Sequence, residues 1–413
     1  MVKGWVEKPI LDVLKPNGIK IGPFGSQLKK EILLSDGQYR VYGQENVYNH
    51  DFSLGDRYLS REHFNRLNSC EIIPGDFVMS TMGTIGKCAI VPDSIQCGIM
   101  DSHLIRLRID EKKINPNYLL QLFSDQYHYL SDQTVRLAVG GIMDGLSVGI
   151  VSNLSAIYPE NLDEQNEIVS VLSDMDEAIS NLQKLIQKKK DIRQGTLQML
   201  VTGKKRLEGF SEDWVKINLA KNSRLKARIG WQGLTTAEYL DEGYAYLITG
   251  TDFKDGRINW NGCHYVNYGR YMQDPNIQVS NGDLLLTKDG TIGKVAYISD
   301  LDRPATLNSG VFVVKPITNA YTAHFMFYVL ESSVFKDFLQ QLSAGSTINH
   351  LYQKDLVKFD LYVPPTTEEQ EAITGILFDM DLDIYKLEEK LSKYQKIKQG
   401  MMDELLTGKV RLV

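Results

Sequence analysis

Apolar residues recur at every seventh position over two stretches of this chain, and the second stretch repeats the landmarks of the first. Residues 368–412 match residues 163–207 without a gap at a constant offset of 205. Gln165 returns as Gln370, Asp174-Met175-Asp176 as Asp379-Met380-Asp381, Thr202-Gly203-Lys204 as Thr407-Gly408-Lys409, and Arg206-Leu207 as Arg411-Leu412. In the first copy Leu172, Ile179, Ile186 and Leu200 share one heptad position, and Ile168, Met175 and Leu182 share the other. The second copy answers with Leu377, Ile384, Leu391 and Leu405, and with Ile373, Met380, Leu387, Tyr394 and Met401. This period marks a helix that packs on another helix along a seam, and roughly 37 residues give a rod of about 55 Å. Arg193 and Lys398, with Lys189 and Thr196, interrupt the apolar seam. They are long stems reaching water or polar contacts that fix the register of pairing.

The remaining sequence divides into two bodies with a common plan. Residues 1–160 form the first, residues 161–207 the first helix, residues 208–366 the second body and residues 367–413 the second helix. In the first body, Tyr39–Tyr42, Cys70–Ile73, Phe77–Ser80, Lys87–Val91 and Leu104–Arg108 are short β-rich runs punctuated by Gly and Pro, which predicts strands joined as hairpins. Asn115-Pro116-Asn117-Tyr118 opens one helical run towards Leu130, with proline at its start. The second body repeats the landmarks. Trp214-Val215 echoes Trp5-Val6, Gly290-Thr291-Ile292-Gly293-Lys294 repeats Gly83-Thr84-Ile85-Gly86-Lys87, a helical run covers Ala323–Leu342, and Tyr362-Val363-Pro364 closes as Tyr158-Pro159 does. Between landmarks the bodies share little. The expected fold class is α+β: two pseudo-repeated β-rich domains, separated and joined by two long antiparallel coiled-coil helices.

Composition narrows the chemistry. The 413 residues carry 24% charged and 43% hydrophobic side chains, as an ordinary globular protein does. No apolar run reaches the length of a membrane span and the first residues do not read as a signal peptide. Cys70, Cys88, Cys97 and Cys263 form no CxxC pair, which points to free thiols in a reducing cytoplasm. The seven histidines never fall at metal-ligand spacing, so no metal site is expected. Gly-Thr-Ile-Gly-Lys lacks the spacing and the Ser or Thr of a phosphate loop and reads as a tight turn. Asn115-Pro116-Asn117-Tyr118 differs at its third residue from the Asn-Pro-Pro-Tyr loop of adenine methyltransferases, and a helix start explains it better. No catalytic constellation is visible.

A net charge of −6 argues against a stand-alone nucleic-acid binder without excluding one. Basic residues beside turns, interleaved with polar side chains able to read base edges, outline candidate DNA contacts. In the first body these are Lys20, Ser26, Lys29, Gln44, Asn46, Arg57, Thr84 and Lys87. In the second they are Arg224, Arg228, Gln232, Thr249, Thr251, Lys288, Thr291 and Lys294. The glycines of Gly22-Pro23-Phe24-Gly25-Ser26 would let backbone approach a partner closely.

Two divergent bodies, each followed by a copied helix ending in Leu200-Val201-Thr202-Gly203-Lys204 or Leu405-Leu406-Thr407-Gly408-Lys409, resemble the specificity subunit of a type I restriction–modification system. The resemblance covers the whole chain. It implies that each body is a target recognition domain reading half of a split DNA sequence, and that the helices pack antiparallel, set the spacer and dock two modification subunits. S-adenosylmethionine, ATP and Mg would belong to partner subunits, the restriction subunits among them, and this chain would supply no catalysis. A coiled-coil adaptor without sequence-specific DNA binding is the alternative.

Overall fold

The computed structural model describes residues 2–124, 126–137, 145–229, 233–343 and 350–412. Internal contacts divide the chain into two units, Met1–Gln183 with Glu389–Val413, and Lys184–Glu388. The last segment of the chain therefore belongs to the unit that contains the first.

In the first unit the strands are β1 (Trp5–Pro9), β2 (Leu14–Ile21), β3 (Tyr39–Tyr42), β4 (Tyr58–Leu59), β5 (Glu71–Ile72), β6 (Phe77–Ser80), β7 (Cys88–Ile90), β8 (Gly98–Met100), β9 (Leu104–Ile109) and β10 (Ser155–Pro159). One antiparallel sheet has the order β2-β9-β6-β7, and a second has the order β4-β3-β8-β5. A ribbon of β1 and β10 pairs Trp5 with Pro159, so entry and exit of the body are stitched together. The alternation along β6 places Phe77 and Met79 in the core shared with the helices, and Val78 in the core between the sheets. The central sheet is thus buried on both faces.

The second unit repeats this plan. Its strands are β11 (Val215–Asn218), β12 (Ser223–Lys226), β13 (Ala245–Ile248), β14 (Phe253–Lys254), β15 (Arg257–Ile258), β16 (His264–Val266), β17 (Gln278–Val279), β18 (Leu284–Thr287), β19 (Val295–Tyr297), β20 (Ala305–Leu307), β21 (Val311–Pro316) and β22 (Asp360–Val363). The sheet orders are β12-β21-β18-β19 and β16-β13-β20-β17, with β11 paired to β22. Leu284 and Leu286 face the helices while Leu285 faces the second sheet, the same alternation as in β6.

Two expectations need correction. The strands do not pair only as hairpins, because β3 runs parallel to β8 and β13 parallel to β20. Alternation fixes which face a strand buries, not which strand it neighbours. The single helical runs are also broken. The first is Pro116–Leu122 and Tyr129–Leu137, separated by a turn in which His128 has φ of 59°. The second is Ala323–Glu331 and Ser333–Leu342, separated by extended Ser332, whose hydroxyl accepts from Val334 N–H and caps the next helix. Apolar periodicity continues across the cap, which hides the break.

The long helices span Leu162–Val201 and Thr367–Leu405. Along the seam, Leu172, Leu182, Ile186, Leu377 and Ile384 are buried, and Met175, Ile179, Met380, Leu387 and Leu391 are half-buried. In each unit the two helix segments run antiparallel, as their cross-links require. In the first, Asp176 meets Lys398 and Glu164 meets Arg411. In the second, Arg193 meets Asp381 and Arg206 meets Glu369.

These links are the same pairs written twice, since Arg193 and Lys398 are repeat equivalents, as are Asp176 and Asp381. The seam cations are therefore ion-paired rather than frayed. Arg193, with its side chain 12% exposed, donates to Asp381 at 2.8 and 3.1 Å and also to Glu331, while Tyr328 donates to Asp381 at 2.8 Å. Burial acts to lower the Arg193 pKa, but the hydrogen bonds to Asp381 and the charge of Glu331 hold it above its ordinary value. Lys398 is buried and reaches Asp176 at 2.6 Å and Gln126 at 2.8 Å. Removing one member of a buried pair leaves the other charge uncompensated. Arg193→Met strands two half-buried carboxylates and is expected to cost about 3 kcal/mol. Lys398→Met leaves only Asp176, whose side chain is 42% exposed, and is expected to cost less than about 1 kcal/mol. Urea unfolding of the two variants beside the parent measures the difference.

Candidate nucleic-acid interface

In the first unit, β2, β3, β6 and β8 end, and β9 begins, at one rim, so the loops 22–38, 43–57, 81–87 and 101–103 gather there. The rim is tied by polar contacts. Gly22 N–H donates to Leu104 C=O at 2.9 Å, and a Cβ on Gly22 would collide with the Asp101 carbonyl. The close approach that this glycine permits is therefore to the chain itself. Arg57 holds Asp101 through both terminal nitrogens at 3.1 Å and Glu45 at 3.1 Å. Gln44 donates to Met82 C=O, and Tyr48 to Thr84 C=O at 3.2 Å, which stitches the second loop to the Gly-Thr-Ile-Gly-Lys turn.

The second unit builds an equivalent rim from the turns after β13, β18 and β20. Thr249 Oγ1 lies 2.8 Å from Asp252 and 2.7 Å from Thr251 Oγ1, closing one turn. Lys288 N–H donates to Gly310 C=O at 2.9 Å, and its ammonium pairs with Asp289 at 2.9 Å. Asp289 also holds His350, and these contacts keep its carboxyl below the usual range against the opposing effect of burial.

Both Gly-Thr-Ile-Gly-Lys sequences are hairpin turns of one design. Ser80 Oγ donates to Thr84 C=O at 2.6 Å and accepts from Lys87 N–H at 3.0 Å. Thr287 Oγ1 makes the corresponding bonds to Thr291 C=O at 2.6 Å and from Lys294 N–H at 2.9 Å. A second repeated device escaped the sequence reading. Asp101 accepts from His103 N–H at 2.9 Å, and Asn308 accepts from Gly310 N–H at 2.9 Å, the same side-chain turn before β9 and β21. Asp101-Ser102 and Asn308-Ser309 at equivalent places in the two halves carried that signal.

The candidate contacts separate into three groups. Ser26, Lys29, Thr84, Thr251, Thr291 and Lys294 are exposed on the rims, with Gln44, Lys87, Thr249 and Lys288 half-buried among them. Phe24, 70% exposed at the tip of its turn, joins them as a residue not anticipated. Lys20 sits on β2 one residue before its rim end, opposite Arg106, whereas Arg224 lies on β12 opposite Lys315, towards the end of β21 away from the loops. Asn46 and Arg228 are buried and do not present their polar groups to solvent. The Asn46 amide donates to Asp51 and Leu54 carbonyls at 3.0 and 2.9 Å and accepts from Gly43 N–H at 2.9 Å. Arg228 braces the second rim by donating to Leu307 C=O at 2.9 Å and to Thr306 at 3.3 Å. Gln232 lies outside the described residues.

Among the described residues no three His, Cys, Asp or Glu side chains cluster as metal ligands, and no helix is long and apolar enough to cross a membrane. The geometry is that of a recognition protein: two β-rich bodies, each presenting a rim of loops, each sealed by antiparallel helix segments. Residues 3–193 and 232–399 match the family described as the type I restriction modification DNA specificity domain, and the chain belongs to that family. It is 26% identical over 359 residues to a chain assigned as the MjaX type I restriction enzyme specificity subunit of Methanocaldococcus jannaschii, covering 83% of this chain and 80% of that one. The MjaVIII specificity subunit of the same organism is 25% identical over 332 residues, with 76% and 75% covered. The crystal structure of a type I restriction–modification S subunit from M. genitalium superposes with a TM-score of 0.60 at 17% identity, over 97% of this chain and 96% of that one, and shares the fold.

The placement of Asn46 has a measurable consequence. Asn46→Ala leaves two carbonyls and one N–H without their partner and is expected to destabilise the protein by about 2–3 kcal/mol. Lys294→Ala, at an exposed site, is expected to stay within about 0.5 kcal/mol of the parent. Thermal unfolding followed by circular dichroism distinguishes them.

Proposed function

We propose that this chain is the DNA-reading subunit of a type I restriction–modification complex. Each rim reads one half of a split target, and the paired helices set the number of unread base pairs between the halves. The observation that supports this most is internal. One scaffold is built twice with the same sheet orders, the same turn devices and rim loops of nearly equal length, while the residues of those loops outside the shared Gly-Thr-Ile-Gly-Lys turn differ. A duplicated scaffold with divergent loops is what reading two unrelated half-sites demands, because base contacts specify sequence and the frame only positions them.

In this reading the chain supplies sequence choice and the chemistry lies elsewhere. Two modification subunits dock on the helices and bring S-adenosylmethionine, and restriction subunits bring ATP and Mg. The complex works in the cytoplasm on double-stranded DNA.

Co-expression with the modification subunit, followed by single-molecule mapping of N6-methyladenine, tests the proposal. A split motif with a fixed spacer is expected, absent without this chain. Deleting one heptad at the same place in both helices should shorten the spacer and leave both half-sites unchanged. A change in half-site identity would refute the role of the helices as a ruler. Within the intact complex, Lys294→Ala should weaken DNA binding about equally across sequences and lower the salt slope by about 1 if this lysine meets a phosphate.

A further inference from the structure

Each unit carries a groove at the same place in the repeat. It lies where a strand of the hairpin β18–β19 or β6–β7, the start of the short helix at Ala323 or Pro116, and the first turns of a long helix converge. Its volume is about 480 Å³ in the second unit and about 390 Å³ in the first. The repeat makes the two grooves controls for each other. Tyr297, His324, Glu371, Thr374 and Phe378 of the second occupy the positions of Ile90, Asn117, Asn166, Val169 and Ser173 in the first.

Thr374 is the informative difference. It is buried, it lines the groove, and its hydroxyl has no hydrogen-bond partner. Burial of an unpaired hydroxyl costs stability, and the fold does not require one there, because Val169 packs on the core at the equivalent position. Around it the groove offers an exposed carboxylate at Glu371, while neither lysine nor arginine lines it. The aromatic wall is ordered by stacking. His324 lies 4.3 Å from the Tyr297 ring and 5.4 Å from Tyr328, with Phe378 edge-to-face at 5.7 Å and 41% exposed. Burial lowers the His324 pKa against the opposing charge of Asp381, which favours the neutral imidazole.

We propose that the groove of the second unit binds an organic cation, a guanidinium or alkylammonium group that donates to the Glu371 carboxylate and the Thr374 hydroxyl and packs against the Phe378 ring. Charge-assisted hydrogen bonds and an aromatic surface are the pair of features that such cations select. In the first unit Val169 and Ser173 stand at the positions of Thr374 and Phe378, so the unpaired hydroxyl and the ring are absent there, although Glu111 supplies that groove with a carboxylate. This site is independent of the DNA-reading rims.

Saturation-transfer NMR on the full chain, titrated separately with N-acetylarginine amide and with spermidine, tests it. Saturable binding of at least one cation is expected, weakened at least about tenfold by Glu371→Gln and also weakened by Thr374→Val. Thr374→Val installs the residue that the first unit already carries, so the melting temperature should not fall. Tighter binding of the arginine derivative identifies a basic side chain of a partner protein as the source of the cation, and tighter binding of spermidine a free polyamine. Absence of saturable binding of both, or equal binding by the parent and Glu371→Gln, overturns the proposal.

Discussion

A carboxylate buried at the start of each long helix organises the chain. Glu164 and Glu369 have side chains almost wholly removed from solvent, and a buried charge is tolerable only when it is paired and hydrogen-bonded. Neither helix supplies its own partner. Glu164 is gripped by Arg411, beyond the end of the C-terminal helix, and Glu369 by Arg206, beyond the end of the central one, at 2.7 and 2.9 Å. The chain direction at each helix end is set by Gly203 and Gly408, whose φ values of 68° and 70° continue into a path lying on Trp214 and Trp5. Gln165 and Gln370 complete the arrangement, each bonding one backbone N–H and two carbonyls of the body it follows. Each unit therefore includes helix segments that are remote in sequence, and the recurrence of the pairing residues at one offset in the two helix texts follows from this reciprocity. The pairing residues Glu164, Asp176, Arg193 and Arg206 recur as Glu369, Asp381, Lys398 and Arg411, so each ion-pair type is made twice.

Residues under a periodic constraint were legible in the sequence. The heptad seam, the alternation along the central strands, the paired Trp-Val and Tyr-Pro landmarks and the turn at Gly-Thr-Ile-Gly-Lys each repeat a local rule at fixed spacing. What depends on long-range geometry was not legible. The parallel pairings of β3 with β8 and β13 with β20 leave no mark on either strand alone. Asn46 and Arg228 have the residue types of base readers, but both are buried: the Asn46 amide is taken up by the Asp51 and Leu54 carbonyls of its own loop, and Arg228 by the Leu307 carbonyl and the Thr306 hydroxyl. The seam pattern around Arg193 and Lys398 does not reveal all that they hold. Their partners include Glu331 and Gln126, which lie outside the long helices.

The charge of the rims bears on how such a chain can read DNA. Arg57 is committed to Asp101 and Glu45, and Lys288 to Asp289. These cations therefore spend their charge on holding loops in shape, and they enter a DNA interface already paired. Phosphate neutralisation dominates affinity for duplex DNA, whereas discrimination comes from a small number of well-positioned groups at base edges. Internally paired cations such as Arg57 and Lys288, on a chain of net charge −6, are suited to the second task more than to the first, which falls to exposed lysines such as Lys29 and Lys294. Rigid loops favour the second task as well, because a side chain fixed in advance loses little entropy on docking and meets a wrong base with an unpaired group.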